Sequence, residues 1–317
     1  MSRLEDLGIE LGGYFLLSKS KLKRMSHIIE GMVLSGTVSL PDVVNSFEEG
    51  NTRTNYKKVQ DFFRDNDLHD DDYISFIVDT LFKDTEALTL AIDRTEWSYG
   101  KTWHNLLIVS VLYEGSAVPL AILPLERKGN SSSQQRIDLI EKILRVIPSY
   151  RIEMIIGDRE FIGDKWFTGL CDRVIPFVMR IRDNITVHAQ DKLQTIAQLP
   201  DNFEGEVHIG SQLLTLSKKK IKKGILCIIS SLTRKPIEAY KLRWKIETGF
   251  KCLKSNGFNL EKTHLREGRR LKTLTQLASI ATMLALKTAQ IIQPKEANTK
   301  KNMDFLQSQN SKPVIAF

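Results

Sequence analysis

At 317 residues the chain is long enough for a large hydrophobic core and about two domains. Hydrophobic residues make up 42% and charged residues 26%, a balance that argues against a disordered or membrane-embedded protein. With 46 Lys and Arg against 38 Asp and Glu the net charge is +8, which favours a polyanionic partner, nucleic acid first. Cys171, Cys227 and Cys252 form neither a CxxC pair nor an even set, so neither a disulfide framework nor a zinc site is expected. The six histidines are scattered without an HExxH or HxH pattern, and the apolar stretch from Leu277 to Leu286 is too short to span a bilayer. The expectation is a cytoplasmic protein with no membrane association.

From Leu4 to about Arg64, apolar residues at helix spacing (Ile28, Ile29, Met32, Val33, then Val43, Val44, Phe47) predict a few short helices. Their basic clusters, Lys19, Lys21, Lys23 and Arg24, then Arg53, Lys57, Lys58 and Arg64, suit either a helix in a DNA groove or a solvated face. The acidic run Asp65, Asp67, Asp70, Asp71 and Asp72 stands at a helix boundary before Tyr73 to Leu81, where capping explains it better than a metal cluster does. Strands are then expected over Leu88 to Asp93, Asn105 to Tyr113 and Ala117 to Leu125, the last two joined by a tight turn at Glu114, Gly115 and Ser116. An amphipathic helix follows from Ser132 to Ile147, stopped by Pro148, then a buried strand from Glu153 to Gly157. A helix from Gly163 to Asp172 and a strand from Phe177 to Arg182 complete a mixed-sheet α/β pattern.

Between about Asn184 and Thr233 the alternation gives way to short antiparallel strands over Thr186 to His188, Gly205 to Ile209, Gln212 to Leu216 and Gly224 to Ser230, a β-rich insertion. It carries Lys218, Lys219, Lys220, Lys222 and Lys223, which serve either as phosphate contacts or as a solvated hairpin tip. Pro236 suits a helix start, and the helix is expected to run to about Ser255. A further helix spans roughly Leu271 to Ile292, and the segment after Pro294 is polar. The expected organisation is a helical DNA-binding region over residues 1–80, a catalytic region over 81–292 with its β-rich insertion at about 184–234, and a polar tail over 293–317.

Tyr240, Arg243, Glu247 and Lys254 are spaced so that one helix carries them on a single face, within an arc of about 60° at roughly 100° per residue. Asp93 follows the apolar run Leu88 to Ile92, and Asp158 follows Met154 to Gly157. Carboxylates at the carboxyl ends of neighbouring strands project into the crevice where α/β sheets place ligands. With Glu247 they make a hard oxygen donor set suited to Mg²⁺ or Mn²⁺. Taken singly, each has an ordinary reading as a turn residue or a solvated helix face.

Together these residues resemble bacterial insertion-sequence transposases of the insertion sequence 4 family. Tyr240, Arg243, Glu247 and Lys254 match its Y-x2-R-x3-E-x6-K signature. The segments Ile92-Asp93-Arg94-Thr95-Glu96-Trp97 and Gly157-Asp158-Arg159-Glu160-Phe161-Ile162-Gly163 are similar to the surroundings of its two catalytic aspartates. The resemblance covers roughly Leu88 to Lys254. It implies a ribonuclease-H-like mixed sheet with a β-rich insertion, preceded by a small helical domain, and a cut-and-paste DDE transposase. Asp93, Asp158 and Glu247 would hold two divalent cations, and Tyr240, Arg243 and Lys254 would grip DNA phosphates. Double-stranded DNA, both transposon ends and target, is the implied partner, with a homodimer in the DNA complex and a bacterial, nucleoid-associated location. No nucleotide cofactor is expected, since the chain has no GxxxxGK[ST] loop. The competing readings are a nuclease on the same scaffold that cuts without joining, and a transposase-derived DNA-binding protein that has lost catalysis. One departure stands out: some family members stack a flipped base on a bulky insertion residue during hairpin formation, and here Phe203 is the insertion's only aromatic.

Overall fold

The computed structural model describes residues 3–47, 50–222, 224–232, 236–243, 258 and 260–292. Residues up to Met283 form one compact unit, and Leu284–Phe317 form a second, of which residues 284–292 are described. The chain begins with helices α1 (Arg3–Gly12), α2 (Lys19–Ser35), α3 (Leu40–Asn45), α4 (Thr52–Asp65) and α5 (Asp70–Leu81). Their apolar stripes bury Ile28, Ile29 and Met32 of α2 with Val43 and Val44 of α3 and Val59, Phe62 and Phe63 of α4. Asn51 caps α4 by accepting from the N–H groups of Arg53 and Thr54.

The acidic run stands at a helix start without capping it: the N-cap of α5 is His69, which makes no side-chain cap hydrogen bond, and Asp70, Asp71 and Asp72 fill the first turn, where the helix dipole favours negative charge. It also docks that helix. Asp70 accepts from Lys142 and Lys272, each at 2.8 Å, and Asp71 pairs with Arg145 at 2.8 Å. Deeper in, the Tyr73 hydroxyl donates to the Pro119 carbonyl at 2.6 Å, and burial pushes its pKa up.

The sheet starts with β1 (Leu88–Tyr99), β2 (Thr102–Tyr113) and β3 (Ser116–Pro124), an antiparallel meander. Helix α6 (Ser133–Leu144) opens with a capping box between Ser132 and Gln135, and leads to β4 (Ile152–Gly157). Helix α7 (Asp164–Asp172) and β5 (Phe177–Ile181) follow. Strands β1, β4 and β5 are parallel neighbours, so the first part of the sheet has the order β3-β2-β1-β4-β5. This is the mixed α/β sheet expected.

Two strand boundaries need correction. β1 does not stop at Asp93 but continues six residues past it, because Thr95 and Trp97 alternate inward along the hairpin with β2. The strands of the β-rich insertion, β6 (Thr186–Ala189), β7 (Lys192–Thr195), β8 (Glu204–Ile209), β9 (Gln212–Ile221) and β10 (Gly224–Ser230), continue the main sheet through the antiparallel β5–β10 pairing. β9 extends beyond Leu216 to Ile221 and takes in Lys218, Lys219 and Lys220, laddered to β10 with Lys218 opposite Cys227 and Lys220 opposite Ile225. After β10 come α8 (Pro236–Lys241) and α9 (Gly268–Ile292). Among the described residues no helix is long and apolar enough to cross a membrane.

Candidate active site

The parallel ladder between β1 and β4 ends with Ile92 opposite Gly157. Asp93 and Asp158 are each the next residue, so the two chains deliver a carboxylate apiece to the same edge. Side chains alternate faces along a strand, so Asp93 continues the face of Ala91, and Asp158 that of Ile156. Ala91 and Ile156 belong to one buried cluster with Tyr240 of α8, which places both aspartates on the α8 side of the sheet. Only glycine fits before Asp158: a Cβ on Gly157 would lie 2.5 Å from Met179 Sδ, 3.0 Å from Ile92 Cγ2 and 3.2 Å from Phe161 Cβ.

Arg243 brings the two carboxylates together. One of its terminal nitrogens stands 3.3 Å from Asp158 Oδ2 and 4.0 Å from Asp93 Oδ2. The Tyr240 hydroxyl donates to Asp158 Oδ1 at 3.3 Å. Burial pushes the Tyr240 phenol up to about 12, with Asp158 adding to the rise, so it remains a donor at neutral pH. Desolvation likewise pushes the Asp93 carboxyl above its usual range; the Arg94 N–H, at 2.8 Å, and Arg243 oppose the shift, while Glu160 and Asp158 reinforce it.

The opposite face of β1 carries supporting residues that give little sign of themselves in the sequence. Arg94 pairs with Glu160 at 3.2 Å and with Glu96 at 2.5 Å, tying β1 to the loop behind Asp158. Asn105, 2% exposed, accepts from Arg94 at 3.3 Å and donates to the carbonyls of Arg127 and Gly129. Arg136 of α6 is 3% exposed and donates to the carbonyls of Ser131, Glu160 and Ile162, with its guanidinium 5.2 Å from the centre of the Phe161 ring. The signal for Arg94 and Glu160 is their adjacency to the two aspartates; a mid-helix arginine such as Arg136 gives no such signal.

Of the other expected site residues, Glu247 and Lys254 lie outside the described residues, as does the rest of the expected helix beyond Arg243. Among the described residues no group of three or more His, Cys, Asp or Glu converges as a metal cluster. The donor set at hand, two carboxylates with oxygen ligands only and a surplus of negative charge met here by Arg243, fits a hard divalent cation.

The lysine run requires a correction. Lys218 is 3% exposed, and its ammonium donates to the carbonyls of Leu199 and Ala197 at 2.5 and 3.0 Å. It is an interior strut rather than a phosphate contact, because β9 alternation turns it inward with Leu214 and Leu216. Lys219 and Lys220 are exposed. Lys218→Gln is therefore expected to lower stability by about 1–3 kcal/mol, the cost of buried groups left unpaired, while leaving DNA affinity unchanged. Thermal unfolding beside a DNA titration checks both.

Comparison with known proteins now supplies the class. The transposase DDE domain matches residues 84–284, more than half of the chain and including both aspartates, and the chain belongs to that family. It is thus a transposase of the DDE type, an enzyme of DNA transposition. No curated relative matches the sequence. Among solved structures, the piggyBac transposase synaptic complex with hairpin DNA is similar at a TM-score of 0.48 and 12% identity, covering 99% of this chain and 82% of that one. Endonuclease V from Bacillus subtilis gives 0.29 and 8%, covering 77% and 98%. A protein of unknown function from Archaeoglobus fulgidus gives 0.26 and 15%, covering 62% and 98%. All three are too distant to carry more than the fact of likeness.

Proposed function

We propose that the protein is a cut-and-paste transposase on a ribonuclease-H-like sheet, cleaving DNA at terminal inverted repeats and joining the ends to target DNA. The observation that carries this reading is the pair Asp93 and Asp158, side by side past the end of the β1–β4 ladder in a chain of the DDE family. Asp93, Asp158 and Glu247 would hold two Mg²⁺ or Mn²⁺ ions. When bound, such cations activate an attacking hydroxyl and stabilise the leaving oxygen of an in-line phosphoryl transfer.

The chain's own residues do the rest. Tyr240, protonated at neutral pH, fixes the orientation of Asp158 through its hydroxyl. Arg243 neutralises the carboxylate pair, and its planar fork suits bidentate contact with a phosphate beside the scissile bond. Lys254 adds a point charge to the same backbone. Residues 1–80 form the DNA-binding region, with residues 81–292 as the catalytic region and 293–317 as a tail. The protein works in the cytoplasm on chromosomal DNA, as a homodimer bridging the two transposon ends.

The test is a cleavage and joining assay on DNA carrying the element's own ends. Nicked and joined products are expected with Mg²⁺ or Mn²⁺ and without nucleotide, and none in excess EDTA. Cleavage that persists in EDTA overturns the carboxylate mechanism, and cleavage without any joined product reduces the protein to a nuclease.

A further inference from the structure

Beside Asp158, a cleft of about 430 Å³ opens between the carboxyl ends of β4 and β5 and the β10 strand. It is lined by Arg159, Arg180 and Arg182, with Ile181, Asp183, Asn184 and Ile225. Arg159 directly follows Asp158, Arg180 stands opposite Ile228 in the β5–β10 ladder, and Arg182 follows the end of β5. Arg159 and Arg182 are exposed and Arg180 is half-buried.

The charge balance of this cleft is unlike that of the neighbouring arginines. Arg94, Arg136 and Arg243 each have carboxylates or carbonyls to hold. Among the described residues none of the three cleft arginines pairs with a carboxylate at ion-pairing distance, and Asp183 is the cleft's one acid. Three guanidinium groups converging on one acid make a site of net positive charge, which favours an anion with several charges. The chemistry of the anion follows from the rest of the lining. No aromatic ring is present to stack a base, and the apolar contribution comes from two isoleucines, so the cleft reads phosphates and not nucleobases.

We propose that Arg159, Arg180 and Arg182 form a binding site for the DNA phosphate backbone, holding the phosphates next to the scissile one on the strand that passes Asp158. The proposal rests on the transposase reading for the identity of its ligand. The backbone links the two sites: Gly157, just before Asp158 and Arg159, stands opposite Met179, just before Arg180, in the β4–β5 ladder. The cleft therefore continues the catalytic edge toward β10 and sets where the strand runs once its scissile phosphate meets the two aspartates.

The experiment measures binding of the full-length protein to a random-sequence duplex across a salt series, comparing wild type with the Arg180→Gln/Arg182→Gln variant and its Lys counterpart. The Gln variant is expected to bind at least about tenfold more weakly, since a charge-assisted hydrogen bond contributes roughly the equivalent of a tenfold change. Its slope of log affinity against log salt should be shallower by about 0.9 for each phosphate no longer neutralised. The Lys variant should keep most of the slope, because a point charge still releases counterions. Unchanged affinity and slope in the folded Gln variant overturn the cleft while wild-type binding leaves the transposase reading standing. A wild-type protein that binds no duplex overturns both. If the double variant fails to fold, the single exposed substitution Arg182→Gln is read in the same assay against the same outcomes.

Discussion

Replacing Asp158 or Asp93 by asparagine is expected to lower DNA cleavage by at least about a thousandfold, more than the roughly 10- to 100-fold lost when only a supporting partner of a metal ligand is removed. Asparagine keeps the size and one acceptor oxygen but removes the charge that each carboxylate brings to the edge of the sheet. The two variants should part company in stability. The Asp93 carboxyl titrates above its usual range chiefly because it is desolvated, so the native state holds its proton more tightly than the unfolded chain does. Its contribution to stability is complete below the unfolded carboxylate range and is lost as pH rises through the higher native value. At neutral pH and in chelator, wild type therefore bears an ionised, partly desolvated Asp93 that Asp93→Asn does not. Asp93→Asn should melt higher than wild type while failing to cleave, a trade of stability for function. An Asp93→Asn protein that cleaves normally removes Asp93 from the site, and one that melts lower than wild type at pH 7 removes the desolvation account.

How much of this site is legible in the sequence depends on whether the signal is local. Asp93 and Asp158 can be placed because each follows an apolar run, and the end of a parallel ladder is where such runs stop pairing. The same rule misplaces the end of β1, since Arg94 to Tyr99 is polar on one face and its strand character comes from the partner β2, not from a continuous apolar run. Lys218 misleads for a related reason. Five lysines in six positions suggest a solvated tip, yet Lys218, Lys219 and Lys220 lie in the β9–β10 ladder, and alternation turns Lys218 inward whatever its charge. β7 escapes notice because Lys192-Leu193-Gln194-Thr195 has no apolar run, and the turn before it is made by Gln190 and Asp191 without a glycine. The continuity of insertion and sheet rests on β5 pairing with β10, residues about fifty positions apart, and no periodicity reports a pairing at that range.

Arg136 carries the last of these non-local signals, and its replacement is expected to be among the most damaging single changes outside the carboxylates. Its guanidinium is nearly solvent-free and satisfies the carbonyls of Ser131, Glu160 and Ile162, so it holds the loop that begins at Asp158 against the start of α6. Arg136→Met roughly fills the same volume but donates to none of them. The buried Ser131 carbonyl and the part-buried carbonyls of Glu160 and Ile162 lose their partner, and with about 1–3 kcal/mol for a fully buried group the expected loss of stability is about 3 kcal/mol. Arg136→Lys should recover only part of this, because one ammonium cannot reproduce a planar fork that serves the Ser131 and Glu160 carbonyls from one nitrogen and the Ile162 carbonyl from another. The loop also carries Glu160, the partner of Arg94, so its loosening frees both aspartates to move relative to each other. Cleavage by the Met variant, assayed below its melting temperature, should fall by at least about tenfold, since small misplacements of catalytic groups have effects of that order or larger. A Met variant that unfolds at the wild-type temperature and cleaves at the wild-type rate would show that the loop keeps its position without Arg136.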